Sequence, residues 1–285
     1  MTKETYQIEG ARAAVYAETA RWEGTPTAAI GDFRCDDAEA GATVLRQICD
    51  DLAGRGVTRV LGPMNGDTWH SYRLVVESDG TPPFLMEPQS RPADLAAFEA
   101  VGFTRIARYF SARAALRDAI GPAPAPLEGI KIGNWDGTAP EAHFAEVHAL
   151  STRAFAGNLF YRPIDLDAFL GLYMPFVPLL KPDLIFTARD RLGALVGYLF
   201  GIPNYGSGPD PDTVILKTYA SLHPGLGHHL AHAFHIRADE MGFAKVIHAL
   251  IHDDNRSADR SRRHGGEIFR RYALMGRRLV GNDGA

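Results

Sequence analysis

The chain has 285 residues, 46% apolar and 22% charged, with a formal net charge of −4. That is the balance of an ordinary globular protein, long enough for one large or two modest domains, and near-neutral charge speaks against a general nucleic-acid binder. No apolar run approaches the roughly 18 residues of a membrane span, no leader-like apolar stretch opens the chain, and Cys35 and Cys49 are too few for a disulfide framework, so a cytoplasmic protein without membrane or nucleic-acid partners is expected.

In chain order, a strand is predicted over Thr27–Arg34, then a helix over Ala38–Ala53 whose Val44, Leu45, Ile48, Cys49 and Leu52 recur at helical spacing. The junction between them, Cys35-Asp36-Asp37-Ala38-Glu39, is acidic. It suits a helix dipole but repels an anion. A strand over Thr58–Gly62, the turn-rich GPMNGDTW, a strand over Tyr72–Glu77, a helix over Pro92–Val101 and a strand over Thr104–Ser111 follow. The alternating prolines of GPAPAPLEG (121–129) mark a stiff linker. Beyond it come a strand (Ile130–Trp135), helices over Pro140–Phe155 and Asp165–Tyr173, and strands over Leu184–Arg189 and Ala194–Ile202 joined at Asp190-Arg191-Leu192-Gly193. A Gly/Pro/Asp-rich loop then leads to a strand over Thr213–Leu222, the glycine turn Gly225-Leu226-Gly227, a helix to Met241 and a strand over Val246–Ile251. Asn255, a short polar helix, Gly265-Gly266 and a last strand close the chain.

Two passages echo each other. Arg108-Tyr109 follow Gly102 at the spacing by which Arg271-Tyr272 follow Gly265, and Gly54–Trp69 parallels Glu240–Ser257, with Asn65 and Asn255 at matching turns. Two similarities in the same order point to an internal duplication. Charge is uneven as well: residues 1–124 carry 13 basic and 17 acidic side chains, whereas Arg256–Arg278 hold eight arginines against Asp259 and Glu267. That cluster is either a solvated helix face or an attraction for a nucleotide's negative charge.

A strand feeding a glycine turn that opens a helix is a phosphate-binding device, because glycine admits the anion and helix-start N–H groups point at it. The order strand, glycine turn, helix, strand, Asn, helix, strand resembles the acyl-CoA-binding half of the GNAT acetyltransferase superfamily. That superfamily's phosphate motif runs Arg or Gln, two residues, Gly, one residue, Gly or Ala. Gly225 and Gly227 match its glycines, and Leu222 stands where Arg or Gln is usual. Asn255 and Ala258 match a second motif, Gly265-Gly266 replaces its Gly-Phe, and Arg262 stands where the family often has a tyrosine that protonates the departing CoA thiolate.

The resemblance implies an α/β (α+β mixed-sheet) chain of two tandem GNAT-like domains, each a twisted mixed β-sheet flanked by helices. Residues 1–120 form a degenerate domain without a cofactor turn, 121–129 the linker and 130–285 the acyl-CoA-binding domain. It implies acetyl-CoA as co-substrate and no metal. The cofactor-binding set is Leu222, Gly225, Leu226, Gly227, His228, His229 and Asn255, with pyrophosphate on the turn amides and pantetheine along the strand ending at Leu222. It further implies N-acetyl transfer to a primary amine of a small molecule or peptide by direct attack, while the first domain shapes the acceptor site or a homodimer interface.

The chemistry needs a base to free the amine's lone pair and an acid for the thiolate. His223, Tyr219 and Ser261 are the catalytic candidates, with His264 nearby. Phe155, Phe160, Tyr161 and Tyr173 form either an acceptor wall or core. Gly225 and Gly227 also suit an ordinary tight turn, and Asn255 an ordinary helix cap. A non-catalytic acyl-CoA-binding module, or a metal protein using His228, His232 and His235 at i, i+4 and i+7, are the competing readings.

Overall fold

The computed structural model describes residues 3–17, 19–254 and 265–279. Its contacts divide the chain into two compact units, Met1–Tyr109 with Leu159–Arg162 and Arg270–Ala285, and Phe110–Asn158 with Pro163–Phe269.

The first unit opens with a hairpin, β1 (Lys3–Ile8) and β2 (Ala11–Tyr16), turned at Gly10 with φ 74°. The sequence reading missed it because alanines fill the inward positions of β2 and the apolar alternation is weak. A short ribbon, β3 (Arg21–Trp22) and β4 (Thr25–Pro26), precedes β5 (Ala28–Cys35), α1 (Ala38–Gly54) and β6 (Arg59–Gly62). β7 (Leu74–Ser78), α2 (Pro92–Ala100) and the start of β8 (Thr104–Ala115) complete this half of the chain. Sheet order is β1-β2-β5-β6, with β5 and β6 parallel and the rest antiparallel. The helix stripe read from the sequence is the observed core face: Val44, Leu45, Ile48, Cys49 and Leu52 are all buried against Ile30, Val60 and Phe98.

The second unit takes α3 (Leu116–Ala119), β9 (Lys131–Asn134), α4 (Pro140–Ala154), α5 (Leu166–Tyr173), β10 (Ile185–Arg189), β11 (Leu195–Pro203), β12 (Thr213–Ser221), α6 (Leu226–Glu240) and β13 (Lys245–His252). Its sheet runs β9-β10-β11-β12-β13 and continues to the Phe110–Ala115 end of β8. Only the β12–β13 step is parallel among the pairings from β9 to β13. Leu226, Leu230, Phe234 and Ala238, one turn apart, are completely buried along α6. Each large apolar side chain so buried is worth about 1.5–3 kcal/mol. Two glycines of β11 make room for them: a Cβ at Gly201 would lie 2.2 Å from the Phe234 ring, and one at Gly197 2.8 Å from Leu226. This seating aims the N-terminus of α6.

The last strand, β14 (Glu267–Arg278), differs from expectation. It pairs antiparallel with β6 and β7, so its Arg270–Arg278 part belongs to the first unit, while residues 110–115 of β8 belong to the second. The two halves of the sequence thus trade closing strands. The Pro-rich stretch 121–129, expected as a boundary, lies wholly within the second unit; the division falls at Tyr109/Phe110. A strand's own residues encode which side faces the core but not which neighbour it joins. Among the described residues no helix is long and apolar enough to cross a membrane.

Candidate functional site

β12 and β13 pair in parallel from Thr213↔Lys245 to Leu216↔His248. β12 then continues to Ser221 and β13 to His252 without further pairing between them. Two features mark the divergence. On its other edge β12 carries a β-bulge: Leu216 pairs with Gly201 and Thr218 with Phe200, leaving Lys217 as the extra residue. On β13, Leu250 has φ 58° and its N–H donates to the Ser111 hydroxyl at 3.1 Å. A leucine in left-handed conformation is strained, and the hydroxyl helps hold it there.

Beyond Ser221 the chain turns through Leu222, His223 and Pro224 into Gly225, the N-cap of α6. Gly225 has φ 84°, where glycine is favoured, and a Cβ there would meet nothing within 4 Å. It supplies no side-chain cap. Of the turn amides, Leu226 N–H donates to the His223 carbonyl at 3.3 Å and His228 N–H to the Gly225 carbonyl at 2.9 Å. The first amides of a helix have no intrahelical acceptor and carry the positive end of its dipole. The site therefore combines an open helix start with a strand edge released from its neighbour.

The expected residues divide by role. Tyr219 is half-buried, and its ring covers Gly227 so closely that a Cβ on Gly227 would lie 2.6 Å from it. Gly227 is thus also a packing glycine. The side chain of Leu226 is core, leaving only its backbone for a ligand. Leu222 N–H is taken by the Val196 carbonyl at 2.9 Å. His223 is exposed at the turn. The ring of His229 bonds the Ala125 carbonyl at 2.7 Å, tying the Pro-rich segment to the start of α6. His228 is half-buried beside it, ring centroids 6.3 Å apart. Asn255 and Ser261, with Arg262 and His264, lie outside the described residues.

The histidine face of α6 does not act as a unit. His235 is buried and meets His248 of β13, Nε2 to Nε2 at 3.0 Å. Among the described residues no group of three His, Cys, Asp or Glu side chains could hold a metal. His248 was missed by sequence reading, although His248 and His252 both lie on β13 where it leaves β12. The aromatic group separates too. Tyr173 stacks 5.9 Å from Phe144 and lies 4.5 Å from Phe169, and burial pushes its hydroxyl up to about 12. Phe160 and Tyr161 belong to the first unit, where Tyr161 lies 5.9 Å from Trp69 and the Trp69 indole donates to the Arg162 carbonyl at 2.9 Å.

The same path in the first unit, β5–α1–β6, is closed. The N-cap of α1 is Asp37, whose carboxylate accepts the Ala40 N–H at 2.9 Å. β5 and β6 pair only at Ala28↔Val60 and Ala29↔Leu61. The gap beyond is filled by Asn65: its Oδ1 accepts the Asp32 N–H at 2.8 Å and its Nδ2 donates to the Asp32 carboxylate at 2.9 Å. A Cβ on Gly31 would stand 2.5 Å from both Asn65 Oδ1 and the Met64 carbonyl, so only glycine admits the plug.

No family model matches the sequence, and no curated protein matches it. Solved structures match over nearly the whole chain. A GCN5-related N-acetyltransferase from Sphaerobacter thermophilus has a TM-score of 0.56 at 15% identity, with 95% of this chain and 77% of that one covered. A tandem GNAT protein from the clavulanic acid biosynthesis pathway has a TM-score of 0.54 at 17% identity, covering 96% and 80%. A GCN5-related N-acetyltransferase from Anabaena variabilis has a TM-score of 0.56 at 10% identity, covering 95% and 60%. The chain has the tandem GNAT fold. Identities this low establish architecture and carry no substrate with them.

Proposed function

We propose that the protein is an acyl-CoA-dependent N-acyltransferase whose cofactor seat lies in the second unit, with acetyl-CoA as the first donor to test. The observation that carries this reading is the divergence of β12 from β13 beside the uncapped start of α6. The open space above Gly225 and the positive end of the α6 dipole fit a pyrophosphate. Leu222, Gly225, Leu226, Gly227, His228 and His229 line that turn, and Asn255 follows the next strand.

The bound thioester supplies an activated acyl carbon. A primary amine attacks that carbon directly: the N–C bond forms, the C–S bond breaks and the thiolate takes up a proton. The amine must lose a proton to react. His223, exposed at the turn, is the base in this reading, and Tyr219 and Ser261 are the candidates to serve the thiolate. The Lys217 bulge re-aims the backbone of β12 at the divergence, and a main-chain donor there is the candidate to meet the developing oxyanion.

The experiment is a calorimetric titration of acetyl-CoA into wild type, Gly225→Asn and Gly225→Asp, with thiol release followed on a panel of amines. Asn and Asp both tolerate left-handed backbone, so they differ mainly in charge at the anion seat. Binding retained by the Asn variant and lost by the Asp variant supports the seat. Failure of wild-type protein to bind any acyl-CoA sinks the reading. Binding without thiol release from any amine would select a non-catalytic acyl-CoA-binding module instead.

A further inference from the structure

The first unit carries a groove that the acyltransfer reading does not use. It lies on the outer face of β1, β2 and β5, holds about 360 Å³ and is lined by Lys3, Thr5, Arg12, Ala14, Asp32 and Arg34. Alternation along the strands builds it. On β1, Glu4 and Tyr6 reach Arg55 and Asp51 at the C-terminal end of α1, so Lys3 and Thr5 point away from that helix. On β2, Ala11, Ala13 and Val15 join the core cluster, while Arg12 and Ala14 line the groove, with Ala13 between them at its floor.

The charges are unbalanced. The Asp32 carboxylate accepts from Lys3 and from the Tyr16 hydroxyl, each at 2.6 Å, as well as from Asn65. It is thereby committed. Arg12 and Arg34 remain, paired directly across β2 and β5. Like charges directly opposite on neighbouring strands destabilise a sheet. Neither guanidinium hydrogen-bonds a carboxylate among the described residues: Arg12 only helps, through space, to hold the Asp32 carboxyl down, and the Arg34 fork reaches the Phe33 carbonyl at 2.9 Å. The backbone beneath is strained as well: a β-bulge lies between Arg12 and Ala14 of β2, and Asp32 on the bulged strand has φ 47°. Strain of this kind persists where surrounding contacts enforce it, often at ligand sites.

We propose that this groove binds a phosphate group, as the free ion or as a phosphomonoester, clasped between Arg12 and Arg34 with Lys3 and Thr5 at its rim. Two guanidiniums without a hydrogen-bonded carboxylate match a dianion, and the planar forks of arginine suit phosphate oxygens. The volume falls in the range of small-molecule sites, larger than a bare ion needs.

The test is calorimetric titration in chloride buffer with two probes, inorganic phosphate and glucose 6-phosphate, on wild type, Arg12→Gln/Arg34→Gln and Gly225→Asp. Phosphate binding is expected in wild type and in Gly225→Asp, and about tenfold weaker or worse in the double glutamine variant. Without phosphate that variant should melt no lower than wild type, because it relieves a like-charge pair. Arg34→Lys, which keeps the charge and loses the fork, should weaken binding severalfold. Tighter binding of glucose 6-phosphate than of phosphate identifies a metabolite site, and equal binding a seat for the ion. No binding at millimolar phosphate overturns the proposal. So does binding that survives loss of both arginines and disappears in Gly225→Asp, which would place the anion at the cofactor turn.

Discussion

Two segments of this molecule follow one path to opposite ends. β5–α1–β6 in the first unit and β12–α6–β13 in the second each run strand, turn, helix, parallel strand. Each first strand has a one-residue bulge on its antiparallel edge, involving its fifth residue, Asp32 or Lys217. The first path then seals itself. Asp37 caps its helix, and Asn65 takes both the N–H and the carboxylate of Asp32. The second has Gly225 at the cap and Leu216 where β5 has Gly31. A good N-cap side chain is worth about 1 kcal/mol. The second unit forgoes that stability and leaves its helix start open; the first takes the stability and closes its own.

The largest test concerns which strand closes the first unit. Arg270 of β14 is buried and ion-paired with the fully buried Glu87 at 2.6 Å, and Glu87 also accepts from Tyr272. Burial raises the Glu87 carboxyl, opposed by Tyr272 and Arg270. Arg270→Met should cost about 3–5 kcal/mol, since it leaves a buried charge without its partner. Denaturant unfolding checks this, and a cost under about 1 kcal/mol, the level of a surface pair, would show that the strand exchange contributes little to the first unit.

Next in size is the charge test at the open helix start. Gly225→Asp should weaken acetyl-CoA binding at least about tenfold relative to Gly225→Asn, a difference of about 1.4 kcal/mol. Equal affinities would mean that phosphate does not sit on this turn. The plug gives a smaller effect. Asn65→Ala removes two hydrogen bonds to Asp32 and should destabilise by about 1–2 kcal/mol. Acyl-CoA stoichiometry should stay at one per chain, because the Asp37 cap remains beside Asp36 and Glu39. A second molecule bound would show that the plug alone had closed the first path.

Much of this contrast was legible in the sequence, and the illegible parts share a cause. The acidic junction at Asp36-Asp37, the glycine turn at Gly225 and the stripe of α1 are local patterns, and each formed as its residues require. The recurring Gly102 and Gly265 both stand at positive φ, two residues before a strand. What escaped depends on partners distant in the chain: β14 joining β6, Asn65 entering the gap beside Asp32, and His248 meeting His235. Pairing of that kind leaves no periodic trace. The aromatic group of Phe155 to Tyr173 was contiguous in sequence yet divides between units, because Leu159–Arg162 packs with the first.

The subtlest test addresses what holds the plug. Asn65 sits in a loop whose next carboxylate, Asp67, is buried, accepts the amides of Trp69 and His70 at 2.8 and 3.2 Å, and meets His70 Nδ1 at 2.8 Å. Its hydrogen bond to Asp67 raises His70 above its ordinary 6.5, despite burial. Burial pushes the Asp67 carboxyl up, but His70 and the two amides outweigh it and hold it below 3.8. A raised histidine stabilises fully below 6.5 and ceases to as pH climbs through its folded value. A depressed carboxylate stabilises above 3.8 and ceases to as pH falls through its own. The pair is therefore strongest between about pH 4 and 6.5. His70 is 41% exposed, so the contribution is screened to about 0.5–1 kcal/mol. His70→Gln should lower the melting temperature by about 1–4 °C near pH 5.5, with the deficit shrinking above neutrality. A deficit that does not change with pH would mean that packing, rather than charge, anchors the loop that closes the first path.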